Sequence, residues 1–201
     1  ETFNQGRGAD GTIIARYVPD ESLEGKNLEE IADSMGTTPA EAALRIYEKS
    51  EAMVVSYGMT DEDVETFAAH PLIAVASDGE SLSTEGVLSA GKPHPRSYGT
   101  NPRFLQKFVN EKKLVSIQEA VRKMTSMPAQ RLGLTNRGRL TPGYAADIVI
   151  MDLLNVKENA TFVNPHQYPS GVTHVIVNGE IVIQDENFTG KTSGEMITNF
   201  N

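Results

Sequence analysis

The sequence predicts an α/β protein whose carboxyl-terminal part turns mostly to β structure. Three observations carry this. Short β-branched and apolar runs alternate with helical patterns over residues 1–135. One of those runs, Leu72-Ile-Ala-Val-Ala-Ser-Asp-Gly79, is apolar until it ends in a lone carboxylate and a glycine. Bounded by turn residues, it reads as a buried strand of a parallel sheet. Over residues 136–201 the helical patterns stop, and Asn178-Gly179 between two apolar runs is the strongest short-range hairpin signal.

Each element follows from local chemistry. Thr12-Ile-Ile-Ala-Arg-Tyr-Val18 is rich in β-branched and aromatic residues and predicts a strand, followed by a loop over 19–25. Asn27 caps a helix through about Met35, closed by Gly36, with Leu28, Ile31, Ala32 and Met35 at helical spacing. Thr38-Pro39 opens a second helix, because proline suits the first helical position. That helix runs to about Ser50 and is expected to bury Ala42, Ala43, Ile46 and Tyr47. Thr60-Asp61-Glu62-Asp63 opens a third, its acids matching the positive end of the helix dipole, and it ends before Pro71. The apolar run to Gly79 comes next.

Residues 81–100 are rich in Gly, Ser and Pro and predict a long irregular loop, a kind that is usually functional or disordered. Pro102 is expected to open a helix through about Lys112. Ser116-Ile-Gln-Glu119 is a capping box for another, carrying Ile117, Ala120, Val121 and Met124. Pro128 starts a short last helix closed by Gly133. Arg139-Leu140-Thr-Pro-Gly143 predicts a short strand and turn, Asp147-Ile-Val-Ile-Met151 a strand, and residues 172–183 the hairpin. The pattern thus divides the chain into residues 1–135 and 136–201.

Composition narrows the function. The net charge of -9 argues against nucleic acid or an anionic membrane as the main partner. With no cysteine, disulfides, thiolate metal ligands and a thiol nucleophile are excluded within this chain, and a reducing cytoplasm fits. No stretch approaches the roughly 20 apolar residues of a membrane span. The opening Glu1-Thr-Phe-Asn carries no Met and leads into a turn-like run, which suggests a piece of something longer.

Asp78 stands where α/β folds build their sites, at the carboxyl end of a strand. There a carboxylate can hold a metal or act as a general base, while Gly79 lets the backbone turn away. Capping of the next turn is the other common role for an Asp after a strand.

The segment Met124-Thr-Ser-Met-Pro-Ala-Gln-Arg-Leu-Gly-Leu134, followed by Arg137-Gly-Arg-Leu-Thr-Pro-Gly-Tyr-Ala-Ala-Asp-Ile-Val-Ile-Met-Asp152 and Val175-Ile-Val-Asn-Gly179, resembles the carboxyl-terminal end of the amidohydrolase superfamily. Ser77-Asp-Gly79 with His94-Pro-Arg-Ser-Tyr-Gly-Thr-Asn-Pro-Arg103 resembles its D-aminoacylase branch, the N-acyl-D-amino-acid deacylases. The resemblance implies the carboxyl-terminal part of a metal-dependent (β/α)8 barrel plus a small β-sandwich piece. Residues 1–135 would be a partial barrel with an inserted helical segment, and 136–201 the sandwich subdomain. It implies hydrolysis of the amide bond of N-acyl-D-amino acids. Asp78 would be the catalytic carboxylate and a metal ligand, Arg96 would bind the substrate's α-carboxylate, and His94 would touch the substrate or orient the loop. The loop between Asp78 and His94 is longer than in typical members, which bears on side-chain preference.

The implied cofactor is zinc. The family's His-Xaa-His is absent, and the histidines at 70, 94, 166 and 174 show no metal-ligand spacing, so most ligands are expected outside this chain. The expected partners are the small-molecule substrate, the missing amino-terminal part of the same enzyme and, through unpaired strand edges, further copies of the chain. A dihydroorotase- or hydantoinase-like activity on cyclic amides is the alternative enzyme. A non-catalytic domain derived from an amidohydrolase is the alternative of another class. Arg103 is read as pairing locally, Asp147 as turn chemistry, and His166 and His174 as surface or strand histidines.

Overall fold

A computed structural model describes residues 8–198, and the opening Glu1-Thr-Phe-Asn lies outside them. The chain forms two compact units that interleave along the sequence. The first takes in the chain up to Val64 together with Asp78–Tyr98 and Ala160–Tyr168. The second takes in Glu65–Ser77, Gly99–Asn159 and the chain from Pro169 onward. Both draw on residues before and after 135.

In the first unit, β1 (Thr12–Arg16) pairs antiparallel with β2 (Met53–Ser56), Thr12 lying opposite Ser56 and Ile14 opposite Val54. The short β2 is not foreseen, since only Val54 and Val55 signal it. Helix α1 (Leu28–Met35) starts at a complete capping box: Asn27 accepts from the Glu30 N–H and Glu30 accepts from the Asn27 N–H. It ends at Gly36, whose φ of 61° is the left-handed conformation glycine adopts freely. Helix α2 (Pro39–Lys49) starts at Thr38, whose hydroxyl accepts from the Glu41 N–H.

These elements enclose one core of Ile14, Tyr17, Leu23, Leu28, Ile31, Ala32, Ala42 and Ile46. The Tyr17 hydroxyl donates to the Ile46 carbonyl at 2.9 Å, so the one phenol in this core is satisfied. Tyr47 is not part of it. It is 70% exposed, because it lies a hundred degrees round the helix from Ile46.

Helix α3 (Asp61–Ala69) forms where the acidic run predicts it. The segment after it corrects the first expectation. Residues 72–79 belong to no strand: Leu72 sits in a turn and is 78% exposed, and 73–79 form no regular element. A strand needs neighbours to bond with, and among the described residues none runs beside this segment. A helix holds it instead. In the second unit, the Val75 N–H donates to the Lys123 carbonyl at 3.1 Å. Arg122 donates to the Pro71 carbonyl at 2.7 Å, and the Lys123 ammonium donates to the carbonyls of His70 and Ile73.

Helix α4 (Arg96–Phe104) begins well before Pro102, which sits inside it rather than opening it. The first turn is started by local bonds, Ser97 N–H to the His94 carbonyl and Tyr98 N–H to the Pro95 carbonyl. Pro102 lacks the N–H that would meet the Tyr98 carbonyl. The helix continues as a π-helical stretch, Leu105–Glu111, which buries Leu105, Phe108 and Val109. In α5 (Ile117–Met124) only half of the expected capping box forms. Ser116 accepts from the Glu119 N–H, but the Glu119 carboxylate takes Arg122 instead. The buried residues of α5 are Ala120 and Lys123, while Val121 is exposed. Helix α6 (Ser126–Arg131) follows.

The rest of the second unit is a four-stranded antiparallel sheet in the order β3 (Ile148–Met151), β4 (Val172–Val177), β5 (Glu180–Gln184) and β6 (Asn187–Phe188). Residues 139–140 form no strand, and only the turn at Pro142-Gly143 is present. Asn178 and Gly179 have φ of 49° and 83°, the two positive values that a type I′ hairpin turn requires. Asp147 steadies that turn: one carboxylate oxygen accepts the Asn178 N–H at 2.9 Å and the other pairs with Arg137.

Candidate functional site

The site begins with a residue in an unusual conformation. Asp78 has φ of 47°, a left-handed backbone that Asp tolerates better than most side chains. The expected division of labour is reversed here, since the positive φ falls on Asp78 and not on Gly79. Gly79 has another task. A Cβ at this position would lie 2.9 Å from the Ser97 Cα and 3.2 Å from the Arg96 carbonyl oxygen. Only glycine lets residues 78–80 lie this close to the first turn of α4. The Glu80 N–H then donates to the Ser97 hydroxyl at 3.3 Å.

That approach sets Asp78 against Arg96. Arg96 Nη2 lies 2.9 Å from Asp78 Oδ2, with the Asp78 side chain 85% exposed and that of Arg96 44% exposed. An ion pair this open to water is worth only ~0–1 kcal/mol, so either group can exchange its partner at small cost. Arg96 is also held through its backbone. Its N–H donates to His94 Nδ1 at 3.0 Å, so that nitrogen is the acceptor and bears no proton in this arrangement.

The His94 ring is in turn packed edge-to-face with Phe162, centroids 4.9 Å apart at 81°, and Phe162 lies 4.8 Å from the Tyr57 ring. Two residues past Arg96, Tyr98 is buried. Its hydroxyl donates to the Ser83 carbonyl at 2.9 Å, and its ring meets those of His166 and Tyr168. Burial pushes the Tyr98 hydroxyl above its ordinary pKa, and Tyr168 adds to the shift.

Asp78, Arg96 and His94 are therefore brought together in the first unit. Phe162, Tyr57 and Tyr168 escaped the sequence reading. The signal for Phe162 and Tyr168 is the crowding of aromatic and histidine residues between them, whereas nothing around Tyr57 marks it. In the second unit, Arg103 does not pair locally as expected: its partner is the distant Glu158, 2.8 Å away, whose carboxylate is nearly buried.

A zinc site is not completed by these residues. Among the described residues, no three of His, Cys, Asp and Glu gather as a metal-holding group. Asp78 offers one carboxylate, and Arg96 neutralises it. Among the described residues, no helix is long and apolar enough to cross a membrane.

The Amidohydrolase family model matches residues 32–183. Over 186 residues the chain is 34% identical to a D-aminoacylase of Alcaligenes xylosoxydans xylosoxydans, covering 92% of this chain and 36% of that protein. It is 32% identical over 195 residues to an N-acyl-D-aspartate deacylase of the same organism, covering 97% of this chain and 37% of that protein. Among solved structures it is similar to the N-acyl-D-glutamate deacylase of Bordetella bronchiseptica, crystallised with zinc and a phosphonate mimic of the tetrahedral intermediate. The TM-score is 0.78 at 31% identity, covering 89% of this chain and 35% of that one. The chain thus spans a little over a third of the length of the relatives it matches. The resemblance read from the motifs holds over nearly the whole chain.

Proposed function

We propose, from the premise that this chain belongs to the amidohydrolase family, that it is part of an enzyme that hydrolyses the amide bond of N-acyl-D-amino acids. The chain corresponds to the carboxyl-terminal part of the (β/α)8 barrel and a piece of the adjoining β-sandwich. The amino-terminal part of the same enzyme supplies the remaining barrel strands. On this reading residues 72–79, which join no sheet among the described residues, take the course of a barrel strand without its neighbouring strands. Zinc, with most of its ligands from outside this chain, and a cytoplasmic setting belong to the same proposal.

The observation that supports the roles most directly is the pairing of Asp78 with Arg96. Arg96 already grips a carboxylate, and its planar fork suits the α-carboxylate of an amino acid equally well. When a substrate carboxylate takes Arg96, Asp78 is released from its neutralising partner. It is then a free base at the end of the segment where the family resemblance puts the chemistry. Asp78 takes a proton from the water that attacks the amide carbonyl and returns it to the leaving nitrogen. The water oxygen bonds to the carbonyl carbon, the C–N bond breaks, and carboxylic acid and amine are formed. His94 touches the backbone of Arg96 and so orients the reader of the carboxylate.

The test is an assay of amine release by the full-length protein, loaded with zinc, on N-acetyl-D-glutamate, N-acetyl-D-aspartate and N-acetyl-D-leucine and their L enantiomers. D-selective turnover is expected. Turnover of dihydroorotate or a hydantoin in its place would favour the cyclic-amide reading. No turnover of any of these would favour a non-catalytic domain.

A further inference from the structure

We propose that Phe162 is a positioning residue for Arg96 and acts through His94. The inference rests on the reading of Arg96 as the group that receives the substrate's carboxylate. An arginine at the start of a helix carries a long and flexible side chain. It can present its fork accurately only if its backbone is held. The backbone of Arg96 is held by the bond from its N–H to His94 Nδ1 at 3.0 Å. That bond requires the imidazole to stay in one orientation. The torsion that turns such a ring is broad and is fixed mainly by packing. Phe162 supplies that packing, edge-to-face at 4.9 Å, and is itself backed by Tyr57 at 4.8 Å.

The same segment grips the other side of Arg96. His166 and Tyr168 lie 5.9 Å and 6.1 Å from the Tyr98 ring. Residues 94 and 98 are thus pinned from one segment, with Arg96 midway between them. The segment is stiff enough for this. Thr161 N–H donates to the Asn164 carbonyl at 3.0 Å, and Asn164 N–H donates to the Thr161 hydroxyl at 2.9 Å. Gln167 N–H donates to the Pro165 carbonyl at 2.8 Å, and Pro165 is fully buried. Every one of these residues belongs to the first unit.

An aromatic pair contributes ~0.5–1.5 kcal/mol, which corresponds to about three- to tenfold in an equilibrium. Phe162→Ala in the full-length enzyme is therefore expected to raise KM for N-acyl-D-amino acids by about three- to tenfold, with kcat and the KM for carboxamide analogues little changed. Combined with Arg96→Met, it should add nothing further. Equal losses on carboxylate and carboxamide substrates, or fully additive losses in the double variant, would overturn the proposal.

Hydrogen exchange reads the link without substrate. In Phe162→Ala the Arg96 amide should exchange about three- to tenfold faster, while amides of α2 keep their protection. Unchanged protection at Arg96 would also overturn it. Phe162→Leu keeps the apolar volume without the ring edge, so it provides a folded variant in which an intermediate increase in exchange is expected. If Arg96→Met treated both substrate classes alike, the reading of Arg96 would fail. The exchange data would still decide whether Phe162 holds the His94–Arg96 turn.

Discussion

Arg96 Nη2 lies 2.9 Å from Asp78 Oδ2, so the carboxylate and the guanidinium that the motifs single out neutralise one another in this structure. The pair is exposed and weak, and under the proposed function a substrate carboxylate would displace it. The catalytic proposal places different demands on each partner.

Asp78→Asn in the full-length enzyme keeps the side-chain shape but cannot accept a proton. The kcat is expected to fall by at least about 10²-fold, the usual contribution of a general base. Steady-state kinetics on N-acetyl-D-amino acids measure this directly, with circular dichroism as the check on folding. A kcat within a few-fold of wild type would remove Asp78 from the chemistry.

Arg96→Met should weaken binding of N-acyl-D-amino acids by about 10- to 100-fold in KM and leave carboxamide analogues nearly untouched, because a charge-assisted pair is lost only with the former. The ratio of the two KM changes is the measurement. A ratio near unity would mean that Arg96 does not read the carboxylate.

Gly79→Ala forces a methyl group to within 2.9 Å of the Ser97 Cα, which is backbone and cannot swing aside. Displacement of the segment against α4 is expected to cost ~1–3 kcal/mol in urea unfolding and to reduce turnover. Gly58→Ala is the control, since nothing lies within 4 Å of its added Cβ, and it should leave stability and activity close to wild type.

Lys123 gives stability a pH dependence. Burial holds its amine below the ordinary value of 10.5, with Glu119 opposing the shift. Below the lowered value both folded and unfolded states are protonated, and the cost of the buried charge is complete. Between the lowered value and 10.5 the unfolded state binds more protons, so this residue's contribution makes stability rise with pH. Urea unfolding of wild type and Lys123→Met between pH 7 and 10.5 should therefore show wild type gaining on the variant as pH rises. A constant difference across that range would show that the buried amine keeps an ordinary affinity for its proton.

The sequence by itself determined whatever is settled within a few residues. Asn27, Thr38 and Ser116 cap helices because each bonds an N–H three positions on, and Asn178-Gly179 turns the hairpin because both residues accept positive φ. The long ordered motif over 137–152, with the Ser77-Asp-Gly and His-Pro-Arg stretches, was enough to point to the family. Tertiary structure alone decided what depends on distant partners. The apolar run 72–76 reads as a strand, yet it has no ladder and is held by Arg122 and Lys123, because pairing is a property of neighbours and not of the run. Lys123 is not among the apolar positions read on α5, yet it is fully buried, because the carbonyls it satisfies come from His70 and Ile73. Gly79 read as a turn residue, and only the close backbone of Ser97 shows why it must lack a side chain. Phe162 sits beneath His94 for the same kind of reason: its role arises from a contact between segments far apart in the chain, and nothing in its local sequence encodes that contact.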